Sequence, residues 1–598
     1  MNEYTVTGND YITLPKIKRG DIESITFLSS AYKGLLELQG GHKPWLAPVL
    51  KLEKKAPMAM TTEGKLGHWI PTFLHESEGI RLTQTVLAPI DGRGFVVRLE
   101  CVNTTDKPQA VSFGVEGEWK YTHREINATD ELSMEKTLHY GWFDTPVFSL
   151  VSGVPVFSFA FLFDKKTDNR VYCNGKIAQY SFLHKTVLLA GESTTLDCAF
   201  GIGYDSVASI TSALDMQRHT FPKLLEETLL FLSRRTIQTG NPLVDKRLNE
   251  NLFFCYFCSA GRTLDTEKFV CVTSRSPRYY VSSAYWDRDS LLWAFPAVLE
   301  VDEARAKEVL DYAFQTQIRN VGVLSRYIDG CVLEPGFELD CLCAPIIALC
   351  NYYEKTRDEG YLASKPVVDG VRKILEILRT KRHKTVSLFE TFLYPSDDMH
   401  RYPYLTYDNA LVAYALQKTA TMYEDILEKP LLNWCKQTSL DTYTALGKHC
   451  MADKERVYAW CVDLQGNYEL YDEPAGSLIL LPCLGACDSA DELYQNTVKR
   501  LYSKKNAYSF SGRPYSQLGC AHSPHPWILS YVNAVLSNHA GEETLREMLA
   551  MKMDNGLACE SISEITGESE TGEAFATCAG FYAYALMRQY GANTKKSE

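Results

Sequence analysis

Two adjacent carboxylates, Asp397 and Asp398, lie in L-Y-P-S-D-D-M-H-R-Y-P-Y-L, directly before an apolar run. A third, Glu560, lies in A-C-E-S-I-S-E before another apolar run. Paired carboxyls can perform acid–base chemistry, one protonating a leaving oxygen while the other activates water or attacks a sugar. A single Asp or Glu before a helix is more often a cap, so the elements around these residues must decide between the two readings.

Six polar or aromatic segments precede apolar runs in the second half of the chain. They are W-D-R-D-S, F-E-L-D-C-L-C-A-P, Y-P-S-D-D, E-L-Y-D-E-P-A, A-H-S-P-H-P and A-C-E-S-I-S-E. Amphipathic, charged stretches such as E-A-R-A-K-E-V-L-D-Y-A-F alternate with them. Helices that are apolar all round fit an inner ring, and helices with one apolar stripe fit an outer ring, so the pattern predicts an all-α (α/α)6 barrel.

In such a barrel the six segments lie at the same end. The carboxylates expected to converge on one mouth are Asp289, Asp340, Asp397 or Asp398, Asp472 and Glu560. The many Tyr and Trp residues offer flat faces for sugar rings, and Trp286, Tyr402 and Trp527 are in suitable loops. Bulky Trp286 and Trp527 would close one end of the cleft, which favours exo action on a short substrate.

The first 205 residues alternate polar and apolar side chains with a period of two, as in G-F-V-V-R-L-E-C-V-N and Q-A-V-S-F-G-V-E-G-E-W. This pattern predicts an antiparallel β-sandwich. The periodicity then changes to about 3.6 residues. We therefore predict a multi-domain chain with a β-sandwich over 1–205, a helical linker over 206–240 and the (α/α)6 barrel over 241–598.

Net charge, apolar runs and the spacing of Cys and His argue against several partners and cofactors. The net charge of −12 argues against nucleic acid and acidic membranes, and the chain has neither a signal-like N-terminus nor a membrane-length apolar run. Its cysteines lie mostly in apolar helical text, which indicates free thiols and a cytoplasmic location. Neither Cys341 with Cys343 nor His522 with His525 has the spacing of a metal site, so we predict no metal and no cofactor.

The motifs resemble glycoside hydrolase family 125. W-D-R-D-S, F-E-L-D-C-L-C-A-P-I, Y-P-S-D-D-M-H-R-Y-P-Y-L, G-N-Y-E-L-Y-D-E-P-A-G-S-L-I-L-L-P, Y-Q-N-T, S-P-H and A-C-E-S occur in the family's order, over roughly residues 280–590. The resemblance implies a metal-independent, exo-acting, inverting α-mannosidase with an (α/α)6 barrel. It places the general acid at Asp397 or Asp398, with a slight preference for Asp397, and the general base at Glu560.

The same resemblance implies a subsite for the terminal sugar. The residues expected to bind substrate are Trp286, Arg288, Asp289, Glu338, Asp340, Tyr402, Asp472, His525 and Trp527. Of these, Arg288, Asp289, Glu338 and Asp340 would hold the terminal sugar itself.

The sequence departs from the family pattern at three points, which leaves alternatives open. Cys559 precedes the base where the family has His, the loop before Trp527 is shortened, and a β-sandwich is added. A sandwich before an (α/α)6 barrel also resembles bacterial glucoamylases, so an α-glucosidase is one alternative. The other is a non-catalytic carbohydrate-binding protein, although a retired enzyme would usually have lost one of the paired carboxyls.

Overall fold

A computed structural model describes residues 3–52 and 58–591, which form two compact units. The first comprises the described residues up to Thr236, together with Tyr256–Val270 and Ser274–Ser283. The second comprises Ile237–Cys255, Cys271–Thr273 and the described residues from Ala284 onward. The boundaries at residues 205 and 240 stay a prediction.

In its described residues the first unit contains eighteen strands before its first α-helix. They are β1 Thr5–Gly8, β2 Thr13–Lys18, β3 Asp21–Ser29, β4 Gly34–Gln39, β5 Ala47–Leu52, β6 Ala59–Leu66, β7 Ile70–Ser77, β8 Ile80–Leu87, β9 Gly94–Asn103, β10 Gln109–Trp119, β11 Tyr121–Glu125, β12 Thr129–Glu131, β13 Glu135–Tyr140, β14 Pro146–Ser152, β15 Val154–Phe163, β16 Asp168–Cys173, β17 Ala178–Leu188 and β18 Ser193–Gly203.

These strands form three antiparallel sheets around one aromatic-rich core. The sheet orders are β1-β2-β3-β4-β11-β12, β16-β17-β10-β5 and β13-β14-β15-β18-β9-β8-β7-β6. The two predicted runs become β9 and β10, but these strands lie in different sheets, so the turn between them crosses from one layer to the next. Trp45 and Trp119 are fully buried in the shared core. The predicted antiparallel sandwich-like fold is confirmed.

The helices follow the sheets. They are α1 Ser206–His219, α2 Phe221–Ser233, α3 Pro242–Cys258, α4 Phe295–Val301, α5 Glu303–Gln315, α6 Leu339–Thr356, α7 Glu359–Leu362, α8 Lys365–Lys381, α9 Thr406–Met422, α10 Lys429–His449, α11 Glu492–Leu501, α12 Ile528–Leu536, α13 Glu542–Ala550 and α14 Ala576–Tyr590. Short strands interrupt them: β19 Ala260–Arg262, β20 Phe269–Cys271, β21 Val323–Arg326, β22 Val332–Phe337, β23 Tyr404–Leu405, β24 Met451–Ala452, β25 Val457–Tyr458, β26 Cys461–Val462, β27 Tyr468–Glu469, β28 Ser561–Ile562 and β29 Ser569–Thr571.

Six helical segments of the second unit close into an inner ring. In order they are a π-helical turn, Arg288–Ala294, continued by α4; then α6, α9, a 3₁₀ helix, Leu478–Leu484, α12 and α14. Each segment contacts the next, and α14 contacts the π turn, which completes the circle. α6, α9 and α14 bury most of their residues, whereas α8 buries only one stripe. The predicted (α/α)6 architecture is therefore confirmed.

Two inner segments are not α-helical from their first residue. The π turn begins at Arg288 and is followed by Pro296, which lacks the N–H that an α-helix would use. The fourth segment is a 3₁₀ helix that contains Pro482 and ends at Gly485, with a left-handed φ of 69°. The W-D-R-D-S segment consequently contributes Arg288 and Asp289 from a helical turn and not from a loop.

Two further expectations concern the chain as a whole. All eighteen cysteines are free thiols, and most of them are buried. Among the helices of the described ranges, none combines the length and apolar character needed to cross a bilayer.

Candidate active site

The π turn places Arg288 among four carboxyl groups. Its guanidinium nitrogens lie 2.6 Å from Asp397 Oδ1, 3.2 Å from Glu338 Oε1 and 3.3 Å from Asp340 Oδ2. Asp289 Oδ2 is 3.7 Å from Arg288 Nε. Only 3% of the Arg288 side chain is exposed. A permanently charged guanidinium in this position offsets part of the cost of burying so many carboxyls.

One arginine cannot neutralise all of these acids, and burial keeps some of them protonated. Burial raises the pKa of Asp289 to about 7, although Arg288 opposes the shift, and Thr577 Oγ1 donates to Asp289 Oδ1 at 3.1 Å. The pKa of Glu338 is raised well above its usual value by burial, against the attraction of Arg288. The cluster thus contains both proton donors and acceptors, the combination that sugar hydroxyls require.

The two adjacent aspartates point to different partners because the backbone turns between them. Asp397 has a φ of 69°, in the left-handed region that Asp tolerates better than most residues. Its N–H donates to Tyr394 O at 2.9 Å, and Tyr394 N–H donates to Asp398 O at 2.7 Å. Asp397 therefore contacts Arg288, whereas Asp398 faces the A-H-S-P-H-P loop.

Asp398 and Glu560 approach opposite nitrogens of the same imidazole. His522 Nδ1 lies 3.3 Å from Asp398 Oδ2, and His522 Nε2 lies 3.8 Å from Glu560 Oε1. These distances place the two carboxylate oxygens no more than about 9 Å apart, a limit that admits both the roughly 6.5–9.5 Å of inverting glycosidases and the roughly 5 Å of retaining ones. The Asp398 side chain is 48% exposed and that of Glu560 is 5% exposed.

Asp472 and Glu473 follow one another but have different surroundings. Asp472 accepts hydrogen bonds from Ser477 Oγ at 2.6 Å and from Leu478 N–H at 2.8 Å, so it caps the 3₁₀ helix of the inner ring. Burial raises its pKa to about 7. Burial also raises the pKa of Glu473 to about 8, and the charge of Asp398 adds to this shift.

The remaining predicted contact residues are placed less directly at the carboxyl cluster. Trp286 and Trp527 are both 3% exposed, and the indole of Trp527 donates to Ser523 O at 3.0 Å. Tyr402 is partly buried, with Arg401 5.7 Å from its ring centre. His525 Nδ1 lies 3.3 Å from Glu564 Oε2. Substrate contact by these residues stays a prediction.

The acid in W-D-R-D-S that precedes Arg288 has a structural partner. Asp287 is buried, pairs with Arg326 and accepts a hydrogen bond from the Tyr285 hydroxyl at 3.0 Å. Asp287 thus pairs with an arginine outside its own motif and not with the adjacent Arg288.

Sequence reasoning missed three residues of this region: His522, Glu473 and Asp408. His522 was considered only as a metal ligand, and Glu473 was overlooked beside Asp472. Asp408 is buried in the first turn of α9, and neither carboxyl oxygen has a hydrogen-bond partner among the described residues. Burial raises its pKa well above the usual value, and Asp340 adds to the shift. A single acid in an otherwise apolar inner helix was the available signal.

Two clusters in the described part of the chain have ligand atoms close enough to hold a metal ion. They are Glu338, Asp340 and Cys341 in the second unit, and Glu37, His123 and Glu125 in the first. Each already contains a protein cation: Arg288 contacts the first cluster, and Lys16 Nζ lies 2.9 Å from Glu37 Oε1 in the second. Such cations compete with a metal ion for the same carboxylates.

Comparisons with known proteins bear on this ring and its buried carboxyls. Residues 381–587 match the family described as metal-independent α-mannosidase, glycoside hydrolase family 125. The resemblance predicted from the motifs is confirmed, although this match is shorter than residues 280–590. The match includes Asp397, Asp398 and Glu560, but it begins after Arg288 and therefore does not include that residue.

One curated relative and three solved structures extend the comparison. The meiotically up-regulated gene 157 protein of Schizosaccharomyces pombe is 26% identical over 216 residues, which cover 34% of this chain and 42% of that protein. The chain thus spans less than half the length of the curated relative that it matches.

Among solved structures, a Streptococcus pneumoniae metal-independent α-mannosidase in a non-productive complex with α-1,6-mannobiose has a TM-score of 0.52 and 18% identity. That likeness covers 59% of this chain and 95% of that one. A bacterial glucoamylase complexed with acarbose has a TM-score of 0.66 and 11% identity, over 98% and 94%. A putative kojibiose phosphorylase from the human microbiome has a TM-score of 0.61 and 10% identity, over 98% and 86%. At these identities the likeness shows the fold alone.

Proposed function

We propose that this protein is an inverting glycoside hydrolase that releases a terminal α-linked mannose from a short glycan or glycoside. The observation that carries the proposal is the pair Asp398 and Glu560, which face opposite nitrogens of His522 beside the Arg288 cluster. Two carboxyls roughly 6.5–9.5 Å apart would leave room for water to attack one face of a sugar while the glycosidic oxygen is protonated on the other.

The contacts favour Asp398 over Asp397 as the general acid. Asp397 Oδ1 is held at 2.6 Å by Arg288, which ties this carboxyl to the group of residues assigned to the terminal sugar. Asp398 lies on the side of Glu560 and is open enough to meet a glycosidic oxygen. Glu560 would then act as the base that accepts a proton from the attacking water.

The sugar is assigned from the family match and not from the fold. The matched family is described as α-mannosidases, whereas the glucoamylase and phosphorylase likenesses rest on about 10% identity. An α-glucosidase therefore remains the second candidate, and a phosphorylase would use phosphate in place of the water that Glu560 activates. The same family is described as metal-independent, in keeping with chemistry that two carboxyls can perform.

The first test is a substrate panel of aryl α-mannosides, α-glucosides and α-linked disaccharides, followed by proton NMR. We expect mannose release without added phosphate and a β-configured sugar as the first product, because attack opposite the leaving group inverts the anomeric centre. Release of the α anomer would contradict inversion. A preference for glucosides would change the assigned substrate from an α-mannoside to an α-glucoside. Cleavage inside a long polymer would contradict exo action.

The second test replaces Glu560 by Gln, which keeps the shape of the side chain and removes the base. We expect the turnover rate to fall on the order of 100- to 10,000-fold, the usual contribution of general acid–base catalysis. Glu564→Gln is the matched control, because Glu564 pairs with His525 and not with His522. Near-normal turnover of Glu560→Gln beside an inactive Glu564→Gln would show that the base is misassigned.

A further inference from the structure

The two ring nitrogens of His522 each lie close to one of the proposed catalytic carboxyls. Nδ1 is directed to Asp398 at 3.3 Å and Nε2 to Glu560 at 3.8 Å. Its ring centre lies 6.0 Å from that of Trp527, with the planes inclined by 67°. The side chain is 30% exposed, so the ring lies at the edge of the site and not in the core.

The backbone on both sides of His522 is fixed by hydrogen bonds. Ala521 N–H donates to the Tyr471 hydroxyl at 2.7 Å. Ser523 Oγ lies 2.9 Å from Ser561 Oγ, next to Glu560 in sequence, and Cys520 N–H donates to Ser523 O at 3.3 Å. The imidazole is therefore presented by a short anchored turn that is tied to β28, the strand that follows the proposed base.

A neutral imidazole has one donor and one acceptor nitrogen, so it treats the two carboxyls differently. With the proton on Nε2, the ring places a positively polarised N–H 3.8 Å from Glu560, which favours the ionised carboxylate, and its bare Nδ1 lies 3.3 Å from Asp398, which favours a protonated carboxyl. These are the protonation states that an inverting enzyme needs before each turnover: an acid that holds its proton and a base that lacks one. The opposite tautomer fits the two carboxyls after the reaction.

We propose that His522 is a positioning residue that holds Asp398 and Glu560 at their working separation and favours the protonated acid with the ionised base. This inference rests on the proposed glycosidase function. In the described part of the chain, Glu473 interacts electrostatically with Asp398, and the thiols of Cys520, Cys559 and Cys578 interact with Glu560. Each of these groups lies beside one of the two carboxyls.

The test compares three substitutions on substrates with poor and good leaving groups. His522→Ala removes both contacts, His522→Asn keeps a polar atom near the Nδ1 position, and His522→Gln keeps one near the Nε2 position. We expect His522→Ala to lower kcat about 10- to 100-fold with KM little changed, because the residue acts through groups that perform proton transfer. Added imidazole should restore part of the rate.

Comparing leaving groups distinguishes the contact of His522 with Asp398 from its contact with Glu560. An activated leaving group needs little protonation, so His522→Gln, which keeps the contact to Glu560, should be most impaired on disaccharides and least on an activated mannoside. His522→Asn should be impaired on both. His219→Gln, which removes an exposed histidine 3.5 Å from Asp215 on α1, is the control and should match the wild type.

The outcomes distinguish this inference from the proposed function. If Glu560→Gln is inactive while all His522 variants keep wild-type kcat, the inference fails and the glycosidase stands. A rise in KM at unchanged kcat would also overturn it, because His522 would then be a sugar contact. If the wild type cleaves no glycoside, or Glu560→Gln is fully active, the proposed function itself fails.

Discussion

At the scale of single residues, the adjacent aspartates Asp397 and Asp398 contact different partners because the backbone turns at Asp397. The left-handed φ of Asp397 directs its carboxyl to Arg288 and leaves Asp398 near His522. A backbone in this region is costly for a residue with a Cβ and persists where the surrounding structure requires it. In the proposed mechanism the pair is thus divided between binding the sugar and protonating the leaving oxygen.

This division predicts different kinetics for the two Asn variants. Asp398→Asn should lower kcat on disaccharides by about 100- to 10,000-fold and be far less harmful on an activated mannoside, because only the former needs an acid. Asp397→Asn should raise KM on both substrates, since it weakens the contact with Arg288. Steady-state kinetics on the two substrates would check this, and the reverse pattern would make Asp397 the acid.

At the scale of elements, the site depends on the contact between the first and last segments of the inner ring. Thr577, in the first turn of α14, donates to Asp289 in the π turn at 3.1 Å, and both residues are buried. A buried acceptor that loses its donor still carries its desolvation penalty but no longer has a hydrogen bond to offset it. The hydroxyl of Thr577 therefore supports the ring and the carboxyl cluster together.

Replacing Thr577 by Val keeps the shape and removes this donor. We expect a loss of about 1–3 kcal/mol in the free energy of unfolding, the typical cost of a buried unsatisfied polar group. Thr577→Ser keeps the hydroxyl and is the matched control, with a smaller loss. Thermal or denaturant unfolding measures the stability of both variants. Equal stability of Thr577→Val and the wild type would mean that this hydrogen bond contributes nothing to the free energy of unfolding.

At the scale of the whole molecule, buried carboxyls make stability depend on pH. Burial raises the pKa of Glu125 to about 7, as it does for Asp289 and Asp472, and that of Glu473 to about 8. In the unfolded chain these groups lose their protons near pH 4. Between that pH and about 8 the folded state holds more protons, so the free energy of unfolding falls as the pH rises.

We therefore expect the melting temperature to decrease from about pH 5 to about pH 8. Glu125→Gln should flatten this decrease, because the amide cannot ionise but can still accept the hydrogen bond from Thr129 at 2.8 Å. Glu131→Gln, at an exposed position, should leave the slope unchanged. Melting curves across this range test the prediction, and a melting temperature that rises with pH would contradict it.

Periodicity was sufficient to predict both the sandwich-like unit and the six-membered ring, because each depends on repeated patterns of buried side chains. The motifs also located Arg288 and its carboxyl partners Glu338 and Asp340. What the sequence did not reveal depends on single orientations: the φ of Asp397, and the placement of the His522 ring. Neither has a periodic signature, since a turn and a side-chain rotamer are set by tertiary contacts.

The closure of the inner ring also has a consequence during synthesis. A ribosome delivers Asp289 288 residues before the Thr577 that it bonds, and Arg288 109 residues before Asp397. Until α14 has left the exit tunnel, the nascent chain contains a guanidinium and several acids whose burial is incomplete. The proposed catalytic pocket thus cannot be completed before α14 has been made, and a chain stalled before α14 contains every proposed catalytic residue without a finished site.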